Sequence, residues 1–424
     1  MIWTLFVLPL VLLICGFPVF LVLLTASSVS VLVFFNVPPA ILHQVIFGTL
    51  DSFALLAVPF FIFVGEIMGS GGVSRRLVGW CEALFANIRG GLPITSVAAC
   101  TVFGAISGSS PATVAAIGRI TYKPMRQAGY SETFSSGVLT SSGVIANIIP
   151  PSVAMILYGA SAQESVVKLF TAGILPGLLF SLAFIGYIYW RAVKEKMSSA
   201  HAFSWSKLLI ETRRATLALG MPVIILGGIY SGVFSPTEAA GVACVYAILV
   251  TMFVYHEVDL TKLVSIAGES AFRTAQIMVI VACSGVFSWL LTTSGAVPAI
   301  VNWFESMNLS PFMALLLINI FLLLVGAVLD TAASILLLTP LLVPIVKALG
   351  IDPVHFGIIM TVNLSIGMFT PPFGLNIFVA QAVLGAELRT IYRGIAPYIA
   401  ISILVLFIIT YVPGLSLWLT KLGD

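Results

Sequence analysis

Residues 104–118 read Gly-Ala-Ile-Ser-Gly-Ser-Ser-Pro-Ala-Thr-Val-Ala-Ala-Ile-Gly. Both ends are apolar, yet Ser107, Gly108, Ser109, Ser110 and Thr113 set hydroxyls and glycine backbone where a membrane-embedded segment would carry leucine. Irregular backbone at membrane depth is tolerated only where it is buried in protein or lines a cavity. The flanks, 91–103 and 112–122, are each too short to cross a hydrocarbon core of ~30 Å at ~1.5 Å per residue. They are expected to enter the membrane as two half-helices, turn at 107–111 and leave on the same side. The stretch then forms a re-entrant hairpin with a polar tip near the midplane. Small-residue helix packing is the plainer explanation of a Gly/Ser run, and the internal repeat described below argues against it.

The composition supports a membrane setting. The chain has 424 residues, 60% of them hydrophobic and only 8% charged, against about a quarter charged in soluble domains. The expected fold class is therefore an all-α polytopic membrane protein. The net charge of +3 comes from Lys and Arg spread along loops and gives no nucleic-acid signal. Met1-Ile-Trp-Thr lacks a basic leader and no small-residue cleavage site follows, so the first apolar stretch is expected to stay as an anchor. The five cysteines and four histidines are isolated, without metal-ligand spacing, so neither a disulfide nor a transition-metal site is expected.

Hydropathy divides the chain into two membrane repeats, 1–190 and 215–424, joined by a basic cytoplasmic linker at 191–214. In the first repeat, 1–90 holds scaffold helices and an interfacial arm (37–50), 91–124 the hairpin, 131–158 a helix broken at Pro150-Pro151, and 169–190 a crossing. Residues 2–35 fit either two short crossings or one long tilted helix. In the second repeat, 215–307 is scaffold with an arm at 258–269 and a separate crossing at 271–291. A second hairpin (310–349) follows, then a helix broken at Pro371-Pro372 (351–382), then a last crossing (394–418).

One offset of 221 residues relates the halves. It carries Val37 onto Val258, Ser109-Ser110 onto Asp330-Thr331, Ala128-Gly129 onto Leu349-Gly350, and Pro150-Pro151 onto Pro371-Pro372. Sixteen of the nineteen Lys/Arg lie in segments 70–92, 119–132, 191–214, 256–273 and 383–394. By the positive-inside rule these face the cytoplasm. An odd number of crossings separates matched points, so the repeats have inverted topology. Inverted repeats with discontinuous helices mark secondary transporters, with the site at the repeat interface.

Four interrupted elements should converge there: tips 107–113 and 330–334, and breaks 147–152 and 367–374. Half-helix N-termini present amide N–H groups and partial positive charge to a carboxylate. Freed carbonyls and hydroxyls are hard oxygen ligands for an alkali cation. The candidate substrate contacts are Ser107, Gly108, Ser109, Ser110, Thr113, Pro150, Pro151, Asp330, Thr331, Pro371 and Pro372. The candidate cation ligands are Ser107, Ser110, Gly143 and Asn147 in the first half, and Asp330, Gly367 and Thr370 in the second. Tips and breaks contain no Lys or Arg, so amides, hydroxyls and the cation are expected to offset substrate charge. Glu66 reads as an interfacial or structural acid near a helix end. Arg119 and Lys123 read as snorkelling side chains.

The hairpin around Gly-Ser-Ser-Pro-Ala-Thr-Val, the Ile-Pro-Pro-Ser152 break, the Leu329-Asp330-Thr-Ala-Ala hairpin and the Thr370-Pro-Pro-Phe-Gly374 break together resemble the large membrane subunit of tripartite ATP-independent periplasmic (TRAP) transporters. The resemblance covers essentially the whole chain. The second tip departs from the family pattern, in which proline often follows the aspartate, because Thr331 stands there. The resemblance implies sodium-coupled import of an organic acid, such as a carboxylate or sialic acid, across the Gram-negative inner membrane by an elevator motion. Na+ is the implied coupling ion, with no other cofactor. The implied partners are a small four-helix membrane subunit on a separate chain, a periplasmic binding protein and membrane lipid. A stand-alone divalent anion:sodium symporter is the nearest alternative. An enzyme would need a nucleophile–base pair or metal cluster at depth, which the sequence does not offer. A channel is disfavoured by hairpins entering from opposite sides.

Overall fold

The computed structural model describes residues 3–35, 38, 40–70, 72–85, 87–197 and 203–422. Val37, His201 and the centre of the 191–214 linker, 198–202, lie outside the described residues. Helices account for all the regular structure among the described residues. Six of them are long and apolar enough to cross a bilayer.

The chain begins with α1 (Leu8–Ile14), extended backwards by a π turn (Trp3–Val7), and α2 (Val19–Phe34). Ser30 near the end of α2 donates to Thr4 at the start of the chain over 2.9 Å. The two helices therefore run antiparallel, and the described part of the 2–35 stretch, 3–35, is a helical pair rather than one long helix. The break falls where Phe17 precedes Pro18, a pairing that disfavours helical backbone. Next come α3 (Ala40–Leu50), α4 (Ala57–Ser70) after a 3-10 turn, and α5 (Val73–Phe85). The first hairpin is α6 (Gly91–Ser107) and α7 (Ser110–Gln127). Its turn is only Gly108-Ser109, shorter than the expected 107–111, and its arms are longer. The first broken helix is α8 (Glu132–Ser142), α9 (Ile145–Ile148) and α10 (Val153–Ala162), bent by 41°. A long crossing, α11 (Val166–Lys194), closes the first half.

The second half contains α12 (Trp205–Tyr230), α13 (Pro236–Leu249) and α14 (Leu260–Thr293). Here the separate arm and crossing expected at 258–269 and 271–291 are one helix of 34 residues. Neither Pro nor a left-handed Gly interrupts it, whereas the first-half arm ends at Asp51-Ser52. Then come α15 (Ala296–Ser306), the second hairpin of α16 (Pro311–Gly326) and α17 (Thr331–Ala348), the broken helix of α18 (Pro353–Gly367) and α19 (Leu375–Leu384), and the crossing α20 (Leu388–Tyr411).

Short polar side chains start many of these helices. Ser131, Ser165, Ser204, Ser235, Asp259, Ser310, Asp330 and Asp352 each accept a backbone N–H of the first turn. Each satisfies donors that would otherwise be costly to leave unpaired.

The halves interlock. The second segment of each broken helix lies along the exit arm of the other half's hairpin: α19 packs on α7, and α10 on α17. This reciprocity is what a pseudo-two-fold arrangement of inverted repeats produces. Outside this body, α2 and α3 pack along α14 around Leu23, Val31, Val286, Phe287 and Leu290. On the basic face, Arg76 of α5 pairs with Glu257 at 2.8 Å, and Lys207 of α12 with Glu82 of α5 at 3.3 Å. These tie the linker end and the start of α14 to the first repeat.

Candidate functional site

The two breaks meet. Asn147, in α9, places its Nδ2 3.1 Å from the sulfur of Met368, the residue 221 positions later. Its Oδ1 accepts the amide of Ser110 at 3.0 Å, so the first tip is fastened to the first break. Asn376 in α19 donates to Ser110 Oγ at 2.7 Å and to the Thr140 carbonyl at 3.3 Å. Three discontinuous elements thus converge on one residue. Within the tip, Ser107 and Thr113 hydroxyls are 3.0 Å apart, and Thr113 also donates to the Ser109 carbonyl at 2.8 Å. Gly108 adopts φ +57°, and a Cβ there would lie 2.6 Å from the Pro151 carbonyl. Only glycine lets the turn rest on the Pro-Pro backbone.

The second tip is organised by Asp330. Its two carboxylate oxygens accept the amides of Ala332 at 2.9 Å and Ala333 at 3.2 Å, capping α17. The helix N-terminus offsets its charge, and the residue lines a cavity. Thr331 lies 3.5 Å from the Leu364 carbonyl of α18.

The cavity between the tips has a volume of about 160 Å³. Ser107, Gly108, Ser109, Asn147, Asp330, Thr331 and Met368 line it from the hairpins and breaks. Ile62, Gly65 and Glu66 of α4 with Arg273 and Ile277 of α14 complete the lining, and Gly65 packs directly against Ser107 of the first tip. Glu66 and Arg273 form an ion pair between α4 and α14.

Five of the expected substrate contacts, Ser107, Gly108, Ser109, Asp330 and Thr331, therefore line one cavity. Ser110 and Thr113 are fully buried behind the tip, because the first turn of α7 faces α8 and α9. Pro150 and Pro151 are buried beneath Gly108, while Pro371 and Pro372 are exposed away from the cavity, where Tyr392 donates to the Pro372 carbonyl at 3.2 Å. Both Pro-Pro peptide bonds are cis. Of the expected cation ligands, Gly143 backs directly onto Ser110 and joins Asn147 around that residue: a Cβ on Gly143 would lie 3.0 Å from the Ser110 carbonyl oxygen. Gly367 is pressed against Gly326, and Thr370 donates back to the Ile366 carbonyl at 2.8 Å.

Sequence reasoning did not single out Asn376 or Arg273, and it placed Glu66 at a helix end. A buried Asn inside the apolar run Ile377–Leu384 and its preceding break was one available signal. An Arg at the edge of the 271–291 apolar run was another, since intramembrane charges usually face an interior or a water-filled space.

Two hairpins and two broken helices around a polar cavity in a multi-pass helical bundle define a membrane permease of the discontinuous-helix class. The chain belongs to the family described as the DctM component of the tripartite ATP-independent periplasmic transporter, matched over residues 6–415. It is 44% identical over 372 residues to the C4-dicarboxylate TRAP transporter large permease protein DctM of Pseudomonas aeruginosa, covering 88% of this chain and 87% of that one. It is 38% identical over 410 residues to the isethionate TRAP transporter permease protein DctMQ of Oleidesulfovibrio alaskensis, covering 96% of this chain and 64% of that longer one. A crystal structure of the Alcanivorax borkumensis YdaH transporter, described as having an unusual topology, matches with TM-score 0.64 at 15% identity, covering 98% of each chain. That last likeness shows the fold. The family is one of transporter permeases, which places the chain in a membrane as a multi-pass protein.

Proposed function

We propose that this large permease subunit imports a small organic anion across the bacterial inner membrane, driven by a sodium gradient, through an elevator motion. In this reading a separate small membrane subunit braces it and a periplasmic binding protein delivers the substrate. Relatives named for C4-dicarboxylates and isethionate support an anionic cargo.

The observation that carries the reading is the meeting of both tips at one cavity, with orphaned acceptors buried behind them. Asn376 Oδ1, beside Ser110, has no hydrogen-bond partner among the described residues. In the second half, Ser334 Oγ and Asn363 Oδ1 are likewise buried without one. Unpaired buried acceptors are costly, and a bound cation would satisfy them. The residues that would hold Na+ are Ser110 and Asn147 with Asn376 from the other half at the first tip, and Asp330, Ser334 and Asn363 at the second. A cation beside Asp330 would also cancel the repulsion that this carboxylate exerts on an incoming anion. Filling the site joins tip to break in each half, so a loaded hairpin body can move as a unit against α2, α3 and α14. The lipid-facing scaffold stays in place.

The test is uptake in proteoliposomes containing this chain and a candidate small subunit. An inward sodium gradient is imposed, binding protein is added or withheld, and labelled succinate, isethionate and sialic acid are offered. Uptake that needs sodium and binding protein together is expected. Sodium-driven uptake without binding protein would favour the stand-alone anion:sodium symporter, and uptake indifferent to sodium would overturn the coupling.

A further inference from the structure

Neither tip nor break carries a Lys or Arg, yet the cavity they enclose contains one cationic side chain among its lining residues, Arg273. It comes from α14, and its partner Glu66 from α4, so the pair joins two helices outside the hairpins and breaks. The pair is asymmetric. The Glu66 side chain is 19% exposed and that of Arg273 50%. Glu66 engages Nη1 of a planar group with five N–H donors, which leaves further donors on a side chain that lines the cavity. Ile62 and Ile277, each one turn from a member of the pair, complete an apolar surround.

We propose that Arg273 is the cationic contact for the anionic group of the substrate, and that Glu66 masks it when the cavity is empty. The inference rests on the organic-anion reading above and deepens it. A half-exposed ion pair is weakly held, so an arriving carboxylate or sulfonate exchanges with Glu66 on the guanidinium. An arginine fork suits both groups, because each offers two or more coplanar or clustered oxygens. The masking carboxylate disfavours neutral ligands, which cannot displace it, and favours release when the anion departs. Because Arg273 belongs to α14, which the elevator reading keeps in place, the charge does not travel with the hairpins. It reads the substrate from one side of the transport cycle only.

The test uses the full chain reconstituted with its small subunit. Arg273 reactivity toward phenylglyoxal is read by mass spectrometry with and without succinate or isethionate, and uptake of both labelled anions is measured alongside. A transported anion is expected to slow modification of Arg273 several-fold, and Glu66→Gln to speed it when no anion is present. Arg273→Gln is expected to raise the uptake KM by about tenfold. The exchanged double variant, Glu66→Arg with Arg273→Glu, preserves an ion pair and is expected to fold but not to recover uptake. Recovery of uptake by that exchange would reduce the pair to a structural tie between α4 and α14 and overturn the proposal. An anion that is transported without protecting Arg273 would overturn it as well, while leaving the organic-anion reading intact. Failure of the unaltered protein to take up any organic anion would instead overturn that reading, and this inference with it.

Discussion

Asp330 does two separable things. Its oxygens cap α17 through Ala332 and Ala333, and its charge stands at the cavity wall. Asp330→Ala removes both and is expected to cost about 1 kcal/mol of stability through the lost cap. Asp330→Asn keeps an acceptor for the cap and removes only the charge. Thermal unfolding should therefore distinguish the two variants, while sodium-dependent uptake falls at least about tenfold in both. Normal uptake by the Asn variant would confine Asp330 to capping. Gly108 is a steric counterpart. A methyl group there meets the Pro151 carbonyl at 2.6 Å on a left-handed backbone, so Gly108→Ala is expected to lift the tip from the break. The expected loss is on the order of 1–3 kcal/mol, with slower uptake, and normal stability and uptake would show that the turn does not depend on this contact.

The two hairpins are equivalent in sequence position but not in packing. α6 and α7 lie against each other, whereas α16 makes little contact with α17 and runs along α18 instead. The reason is visible at Gly326 and Gly367, whose backbones touch: a Cβ on Gly367 would fall 2.2 Å from the Gly326 carbonyl carbon. This close crossing draws α16 toward α18 and opens the second hairpin. Gly367→Ala forces the helices apart, and overpacking of this kind costs about 1–3 kcal/mol. A lowered midpoint in thermal unfolding in detergent is the expected result, and an unchanged midpoint would mean that the crossing is readily relaxed. The second tip is thereby less enclosed than the first, with Pro371 and Pro372 exposed where Pro150 and Pro151 are buried.

At the scale of the molecule, inverted topology makes a direct prediction about faces. Ala128 and Leu349 occupy matched positions at the end of each hairpin's exit arm. By the distribution of Lys and Arg they belong on opposite sides of the membrane. All five native cysteines are free, four buried and only Cys15 exposed, so a background lacking Cys15 is simple to prepare. Ala128→Cys should then react with an impermeant maleimide only from the cytoplasmic side, and Leu349→Cys only from the opposite side. Labelling of both from one side would refute the inverted arrangement. The reciprocal packing of α19 on α7 and α10 on α17 follows from that inversion, since each broken helix must reach across the repeat interface to meet a hairpin of opposite entry.

The sequence alone determined the helical membrane class, the two repeats, the hairpins and the breaks. Those features are local: apolar length, the Ser107–Ser110 interruption, the paired prolines and a single offset of 221 are all legible in one dimension. Tertiary structure decided which residues share the cavity. Ser107 and Ser109 face it while Ser110 and Thr113 turn away, because a helix places adjacent residues about 100° apart and only packing says which face is inward. Tertiary structure also brought Glu66 and Arg273 together across 207 positions. No spacing rule links two charges on different helices, and their meeting depends on how α4 and α14 lie beside the tips.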